Sequence, residues 1–141
     1  MHAEQFLDTN VLLYGYDTET DAKRNIAMGL LEEGWLRPGT TAISVQVLQE
    51  FYVNFVRLGQ THEEARVVVE DLSCWPVVNN TLECFGMGLG FRDRFRISLW
   101  DAMILAAAKT SGAATLYTED LNDGQIYEGV RVINPFADVE K

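Results

Sequence analysis

The stretch FLDTNVLLYGYD, residues 6–17, is an apolar segment that is interrupted by three small polar residues and then becomes apolar again. The pattern predicts a short buried strand that ends at Asp8, followed by a helix over residues 11–16. Asp8, Thr9 and Asn10 can each cap that helix, because their side chains accept hydrogen bonds from free backbone N–H groups. A carboxylate at a strand end can also bind a ligand, and other acids would then have to reach the same place.

Short apolar strands and longer helical segments alternate along the rest of the chain. Strands are predicted at residues 5–8, 41–44, 75–78, 115–118 and 130–133. Helices are predicted at residues 20–33, 44 or 45 to 58, 61–72, 81–95 and 98–110. Short strands separated by helices are typical of a parallel sheet covered on both faces. We therefore predict a three-layer α/β/α fold, in which residues 1–141 form a single domain around a short parallel sheet.

The composition favours an intracellular globular protein. With 141 residues, of which 48% are hydrophobic, the chain is long enough for one domain with one core. No segment approaches the roughly 18 consecutive apolar residues of a membrane span, and the first residues lack the features of a signal peptide. Cys74 and Cys84 have no CxxC spacing, which favours free thiols in a reducing compartment. We expect a cytoplasmic protein without a membrane segment.

Four acids are predicted to lie beyond the carboxyl ends of the strands, where open parallel sheets bind ligands. They are Asp8 after the first strand, Glu50 in the helix after the second, Asp101 in the first turn of the helix at 98–110, and Asp120 after the strand at 115–118. Two carboxylates about 4 Å apart repel each other by roughly 4 kcal/mol at an effective dielectric constant of about 20. Four that converge require raised pKa values or a bound cation, and oxygen ligands alone favour Mg²⁺ or Mn²⁺.

Asp8 and Glu50 also have purely structural explanations. Asp8 can serve as a turn or cap residue only. Glu50 shares a polar stripe with Gln46, Asn54 and Arg57, which is typical of any solvated helix face. The sequence alone leaves both explanations open.

The sequence leaves alternatives open for Asp101 and Asp120 as well. Asp101 stands three residues after Ser98, the spacing of a capping box, although it is the one acid in an otherwise apolar helix. Asp120 competes with Glu119 and Asp123 for the place of the fourth acid, since all three follow the same strand.

The acids lie in motifs that together resemble a known family. LDTN at residues 7–10, QEF at 49–51, SLWDAMILAAA at 98–108 and TLYTEDLNDGQ at 115–125 are similar to the motifs of the PIN domain, specifically the VapC-type ribonuclease toxins of toxin–antitoxin pairs. The resemblance covers essentially the whole chain. It implies a PIN-like fold and a magnesium-dependent endoribonuclease in which a metal-activated water cleaves RNA to leave a 5′-phosphate and a 3′-hydroxyl.

The resemblance also assigns roles to individual residues. The acidic pocket that holds the metal would consist of Asp8, Glu50, Asp101 and Asp120. The supporting polar residues would be Thr9, Asn10 and Thr118. On this interpretation the polar triplet interrupts the first apolar run because Asp8 has to reach a metal ion.

Partners are expected on several surfaces. The net charge of -10 repels RNA, so local basic residues or bound cations would have to offset it. Arg92, Arg94 and Arg96 are candidates for RNA contact, and surface ion pairs are the alternative. A homodimer is expected through the aromatic side chains Phe51, Tyr52 and Phe55, unless these fill the core. A cognate antitoxin is expected to insert an Arg or Lys into the acidic pocket.

Two other classes of function compete with the nuclease. A phosphotransferase of the haloacid dehalogenase type also begins with an Asp at a first strand end, but Asn10 occupies the position of its second acid. A non-catalytic interaction module on the same PIN-like fold is the second alternative. Loss of Mg²⁺-dependent RNA cleavage in an Asp8→Asn variant would separate the nuclease from both.

Overall fold

A sheet of six strands organises the protein, which is described by a computed structural model over residues 1–17, 19 and 21–139. The strands are β1 (Gln5–Leu7), β2 (Thr41–Ser44), β3 (Val77–Val78), β4 (Thr115–Tyr117), β5 (Ile126–Tyr127) and β6 (Val130–Ile133). Their order across the sheet is β3-β2-β1-β4-β6-β5, and every neighbouring pair is parallel except β5 and β6. The predicted α/β fold, with a mainly parallel sheet flanked by helices, is confirmed.

A polar side chain caps the start of each helix in the described part of the chain. The helices are α1 (Thr9–Gly15), α2 (Ala22–Leu36), α3 (Val45–Arg57), α4 (His62–Leu72), α5 (Leu82–Phe95) and α6 (Leu99–Thr110). The caps, in the same order, are Asp8, Asp21, Ser44, Thr61, Thr81 and Ser98. Each cap accepts a hydrogen bond from a backbone N–H of the first turn, which fixes where its helix begins.

The boundaries of β1 and α2 differ slightly from the prediction. β1 ends at Leu7, and Asp8 caps α1 while its backbone N–H still donates to the carbonyl oxygen of Tyr117 in β4 at 3.1 Å. Helix α2 continues past residue 33 to Leu36. Its predicted first residue, Thr20, lies outside the described residues.

The strand β5 is not predicted by the sequence pattern. Its two residues, Ile126 and Tyr127, pair antiparallel with β6. The turn between the two strands contains Glu128 and Gly129, whose φ angles are 49° and 85°. So short a strand has no periodicity of its own, and its conformation depends on the partner strand.

Two aromatic residues that are predicted at a dimer surface lie instead in the core. Phe51 and Phe55 on α3 stack with ring centroids 4.9 Å apart, and only 0% and 7% of their surfaces are exposed. Their burial explains why α3 carries so many apolar residues, and the prediction that these two rings form an interface is wrong. Tyr52 is half-buried and stays at the surface.

The most apolar helix is buried along most of its length, as its sequence predicts. All residues of α6 from Ala102 to Ala108 are buried. Gly88 of α5 lies against it so closely that a Cβ atom there would come within 2.4 Å of the Sδ atom of Met103. No helix in the described part of the chain is long and apolar enough to cross a membrane.

The strand order reverses direction next to β1. From β1 the chain first adds β2 on one side and later returns to add β4 on the other side. In open α/β sheets this switch point leaves a crevice beyond the carboxyl ends of the two strands. Asp8 follows β1 and Thr118 follows β4, so both residues lie at that crevice.

Candidate active site: an acidic cavity at the carboxyl edge of the sheet

A cavity of about 130 Å³ opens at the switch point of the sheet. It is lined by Asp8, Thr9, Asn10, Gln46, Glu50, Asn54, Trp100, Asp101, Ile104 and Asp120. The structure thus brings all four predicted acids to one place, although two come from the helices α3 and α6 and two from the segments that follow β1 and β4. Among the described residues that line the cavity there is no Lys, Arg, His or Cys.

Asp8 is the most deeply buried of the acids. Its Oδ1 accepts a hydrogen bond from the backbone N–H of Thr9 at 2.7 Å, and its Oδ2 accepts one from the hydroxyl of Thr118 at 2.7 Å. Burial nevertheless raises the pKa of Asp8 to about 7, and the nearby carboxylates of Asp120 and Glu50 add to this effect. The hydrogen bonds lower the pKa only in part, so at neutral pH the carboxyl group is divided between its two protonation states.

Thr9 connects the first strand end to helix α3. Its hydroxyl donates a hydrogen bond to Oε1 of Glu50 at 2.7 Å. The residue next to Asp8 in the sequence therefore orients a second acid that lies 41 positions further along the chain. The LDTN motif thus contains one of the four predicted acids, Asp8, and forms a hydrogen bond with a second, Glu50.

Hydrogen bonds from their own backbone N–H groups position Asp101 and Asp120. The hydroxyl of Ser98 accepts a hydrogen bond from the backbone N–H of Asp101 at 3.1 Å, which places this acid in the first turn of α6. Burial raises the pKa of Asp101, as do the charges of Asp120 and Glu50. The backbone N–H of Asp120 donates to the hydroxyl of Thr118 at 3.1 Å, so Thr118 contacts both Asp8 and the Asp120 backbone.

Asp120, and neither of its two rivals, lines the cavity. Glu119 forms an ion pair with Lys23 at 3.3 Å. Oδ1 of Asp123 accepts a hydrogen bond from the backbone N–H of Asn134 at 2.8 Å. Both rivals have structural contacts elsewhere, which favours Asp120 as the fourth acid.

The arginine cluster is not brought to the cavity. Arg92, Arg94 and Arg96 are exposed, and none of them lines it. Arg94 pairs with Glu128, which lies in the turn that leads into β6 and so at the amino edge of the sheet, opposite the acids. This position favours the surface ion pair that the sequence left as an alternative for Arg94.

Two residues of the predicted solvated stripe turn out to line the cavity. Gln46 is 9% exposed, and its Nε2 reaches the backbone oxygen of Trp100 at 3.4 Å. Asn54 donates a hydrogen bond to the backbone oxygen of Glu50 at 2.8 Å. These residues recur every four positions around Glu50, and this spacing could have identified them as neighbours of the site.

The carboxylate oxygens that line the cavity are suitable ligands for a hard divalent cation. Within residues 1–17, 19 and 21–139, no three His, Cys, Asp or Glu side chains form a ready group for holding a metal ion. Mg²⁺ does not need such a cage, because it keeps several waters and takes one or two carboxylates together with substrate phosphates. Carboxylates without thiols or imidazoles therefore fit Mg²⁺ or Mn²⁺ and do not fit a structural zinc ion.

Fold and site together define an α/β protein with an acidic, cation-compatible cavity at the switch point of its sheet. The chain belongs to the PIN domain family, whose model matches residues 6–127. This membership removes the haloacid dehalogenase alternative. No curated protein sequence matches the chain significantly.

Several solved structures share the fold. A toxin–antitoxin complex from Klebsiella pneumoniae is 24% identical with a TM-score of 0.70, and the match covers 94% of this chain and 98% of that chain. VapC20 of Mycobacterium tuberculosis, a toxin that cleaves the sarcin–ricin loop, is 20% identical with a TM-score of 0.67, over 91% and 99% of the two chains. VapBC2 from Rickettsia felis, bound to a promoter DNA fragment, is 21% identical with a TM-score of 0.64, over 91% and 96%. The chain therefore has a VapC-like fold.

Proposed function

We propose that the protein is a Mg²⁺-dependent endoribonuclease and the toxin of a toxin–antitoxin pair. The observation that carries the proposal is the convergence of Asp8, Glu50, Asp101 and Asp120 on one cavity of a PIN domain. The structural similarity to VapC20, a toxin that cleaves the sarcin–ricin loop, supports a nuclease activity for this chain.

The residues of the chain would prepare the cavity for a cation and a phosphodiester. Bound Mg²⁺ or Mn²⁺ supplies Lewis-acid stabilisation of phosphate charge and lowers the pKa of a coordinated water. Asp8, Glu50, Asp101 and Asp120 would hold the cation. Thr9 and Thr118 fix the orientations of the Glu50 and Asp8 carboxylates through hydrogen bonds of 2.7 Å. Because the pKa of Asp8 is about 7, its carboxyl group would have to give up a proton in order to hold a cation near neutral pH.

The test is RNA cleavage by purified variants that each lose one charge. Asp8→Asn, Glu50→Gln and Asp101→Asn are expected to lower the Mg²⁺-dependent cleavage rate about 100-fold or more, as for loss of a preorganised electrostatic element. Asp123→Asn is the matched control, because Asp123 lies outside the cavity and an amide oxygen can still accept the hydrogen bond from Asn134. It should cut at the wild-type rate.

Wild-type rates in the three cavity variants would refute the site assignment. A wild-type protein that cuts no RNA with Mg²⁺ or Mn²⁺ would instead favour a non-catalytic PIN-like interaction module.

A cognate antitoxin is the proposed protein partner. Its support is the similarity to a toxin–antitoxin complex and the charge of the cavity, where Asp8 and Asp101 lie without a lining cation among the described residues. A guanidinium pairs bidentately with carboxylates and would compete with the metal. We therefore expect an antitoxin segment that places an Arg or Lys beside these acids and inhibits cleavage.

A homodimer is proposed on a surface that keeps Tyr52 but neither of the two buried rings, Phe51 and Phe55, that were first expected there. An apolar groove of about 490 Å³ runs between α3 and α4, and its lining includes Val45, Leu48, Tyr52, Val53 and Val69. Light scattering should give a dimer mass that shifts towards the monomer on dilution or in a Val53→Glu variant. A monomer mass at every concentration would refute the dimer.

A further inference from the structure

A second, mostly apolar groove adjoins the acidic cavity and shares one residue with it. The groove has a volume of about 460 Å³, within the ~300–1,000 Å³ of pockets that accept small organic groups. Its apolar lining comes from Leu82 and Phe85 of α5 and from Leu99, Trp100 and Met103 of α6. Trp100 is the residue that lines both spaces, and it immediately precedes Asp101.

The indole of Trp100 is unusually available for a ligand. Its exposed fraction is 63%, and that of neighbouring Leu82 is 85%, although burial of such side chains is normally favourable. The backbone of Trp100 is nevertheless held in place. It belongs to the first turn of α6, which Ser98 caps, and its carbonyl oxygen contacts Nε2 of Gln46 at 3.4 Å. The ring is thus an exposed aromatic surface on a fixed element.

The charge of the protein makes such a surface useful for RNA binding. The net charge is -10, and the described residues that line the acidic cavity include no cation. Binding of a polyanion must then draw on a bound cation and on interactions that do not depend on charge. Stacking of a base on an aromatic ring is such an interaction, and it is the usual way in which proteins hold single-stranded RNA.

We infer that the groove beside Trp100 is a nucleobase subsite, in which a base next to the scissile phosphate stacks on the indole. The inference rests on the proposed function, since it takes the phosphate to lie in the acidic cavity. The two spaces share Trp100, so a nucleotide with its phosphate at Asp101 brings its base into the groove. Asn80 and Thr81 also line the groove and offer polar atoms to the edge of a base. The substrate class is therefore single-stranded RNA with an unpaired base at the cleavage site.

The test separates base stacking from general RNA affinity. Binding is measured by fluorescence anisotropy with Mg²⁺, on a Glu50→Gln background that is expected not to cut, using a short single-stranded RNA and an abasic strand of equal length and charge. Trp100→Ala should weaken binding of the RNA about 10-fold and leave binding of the abasic strand unchanged. Trp100→Phe should retain most of the affinity. Trp35→Ala, which removes another exposed indole from helix α2, is the matched control and should bind both strands like the parent.

Cleavage assays of the Trp100→Ala variant without the Glu50→Gln change then distinguish the base subsite from the nuclease proposal. If Trp100→Ala cuts RNA with wild-type kcat and KM, the subsite is refuted while the nuclease proposal stands. If the protein cuts no RNA but still binds bases through Trp100, the nuclease proposal fails, and only base stacking on Trp100, without a scissile phosphate beside it, is supported. Equal weakening on both strands would refute the subsite, as would a Trp100→Ala variant that loses only dimerisation or antitoxin binding.

Discussion

Asp8 is the residue whose proposed role most directly opposes the stability of the fold, because its carboxylate is buried. It is 6% exposed, and burial raises its pKa from 3.8 to about 7 despite the hydrogen bonds from Thr9 and Thr118. A carboxyl group with a raised pKa binds its proton more tightly in the folded state than in the unfolded state. Its contribution to stability is therefore fully present below about pH 4 and is lost as the pH rises through about 7.

This conflict predicts a pH-dependent stability difference between the wild type and Asp8→Asn in the presence of a chelator. The variant has no carboxyl group at this position, so it should become more stable relative to the wild type by about 2–3 kcal/mol between pH 5 and pH 8. Denaturant unfolding at the two pH values measures the difference. A stability difference that is the same at both pH values would show that Asp8 is not strained by its burial.

At the scale of elements, local chemistry made the helices predictable. Ser44, Thr61, Thr81 and Ser98 are small hydroxyl residues that precede apolar periodic segments, and each one caps a helix as expected. The strand β6 was predictable for a similar reason, since Val130, Arg131 and Val132 alternate between apolar and polar and Asn134-Pro135 follows the strand.

Features that depend on tertiary contacts could not be read from the sequence in the same way. The strand β5 exists only by pairing with β6, and a polar side chain such as Gln46 looks solvated until α6 is placed beside it. Phe51 and Phe55 illustrate the converse, because an apolar helix face does not reveal whether it meets the core or a partner. The convergence of the four acids was predictable, since the ends of parallel strands meet at one edge.

The glycine-rich segment of α5, GMGLG at residues 86–90, offers a test of helix packing. A Cβ atom at Gly86 or Gly90 would meet nothing within 4 Å, so alanine there should stabilise the protein by about 0.5–1 kcal/mol through helix propensity. A Cβ atom at Gly88 would meet the buried side chain of Met103, and alanine there should cost about 1 kcal/mol or more by overpacking. Thermal unfolding of the three single variants gives the ranking. If Gly88→Ala is as stable as the other two, α5 and α6 are not in close contact at this point.

At the scale of the whole molecule, the net charge of -10 affects the two proposed partners in opposite ways. A basic antitoxin segment is attracted at long range, whereas RNA is repelled except where a cation or a stacking surface compensates. The arginines do not change this balance at the cavity, since none of Arg92, Arg94 and Arg96 lines it. The charge distribution thus favours rapid inhibition over rapid capture of the substrate.

RNA cleavage and association with the antitoxin should therefore depend differently on salt concentration. At a fixed Mg²⁺ concentration, the logarithm of kcat/KM for RNA cleavage should fall with the logarithm of monovalent salt concentration by a slope shallower than about -0.7, the value for one neutralised phosphate of a single strand. The association rate with the antitoxin, co-purified as the product of the neighbouring gene and then separated, should fall steeply over the same range.

Engagement of all three arginines would instead give a cleavage slope of about -2, which the double variant Arg92→Gln with Arg96→Gln would flatten. That result would mean that RNA extends from the acidic cavity to the end of α5. An antitoxin rate that is insensitive to salt would mean that apolar contacts, rather than the charge of the cavity, guide the inhibitor to the protein.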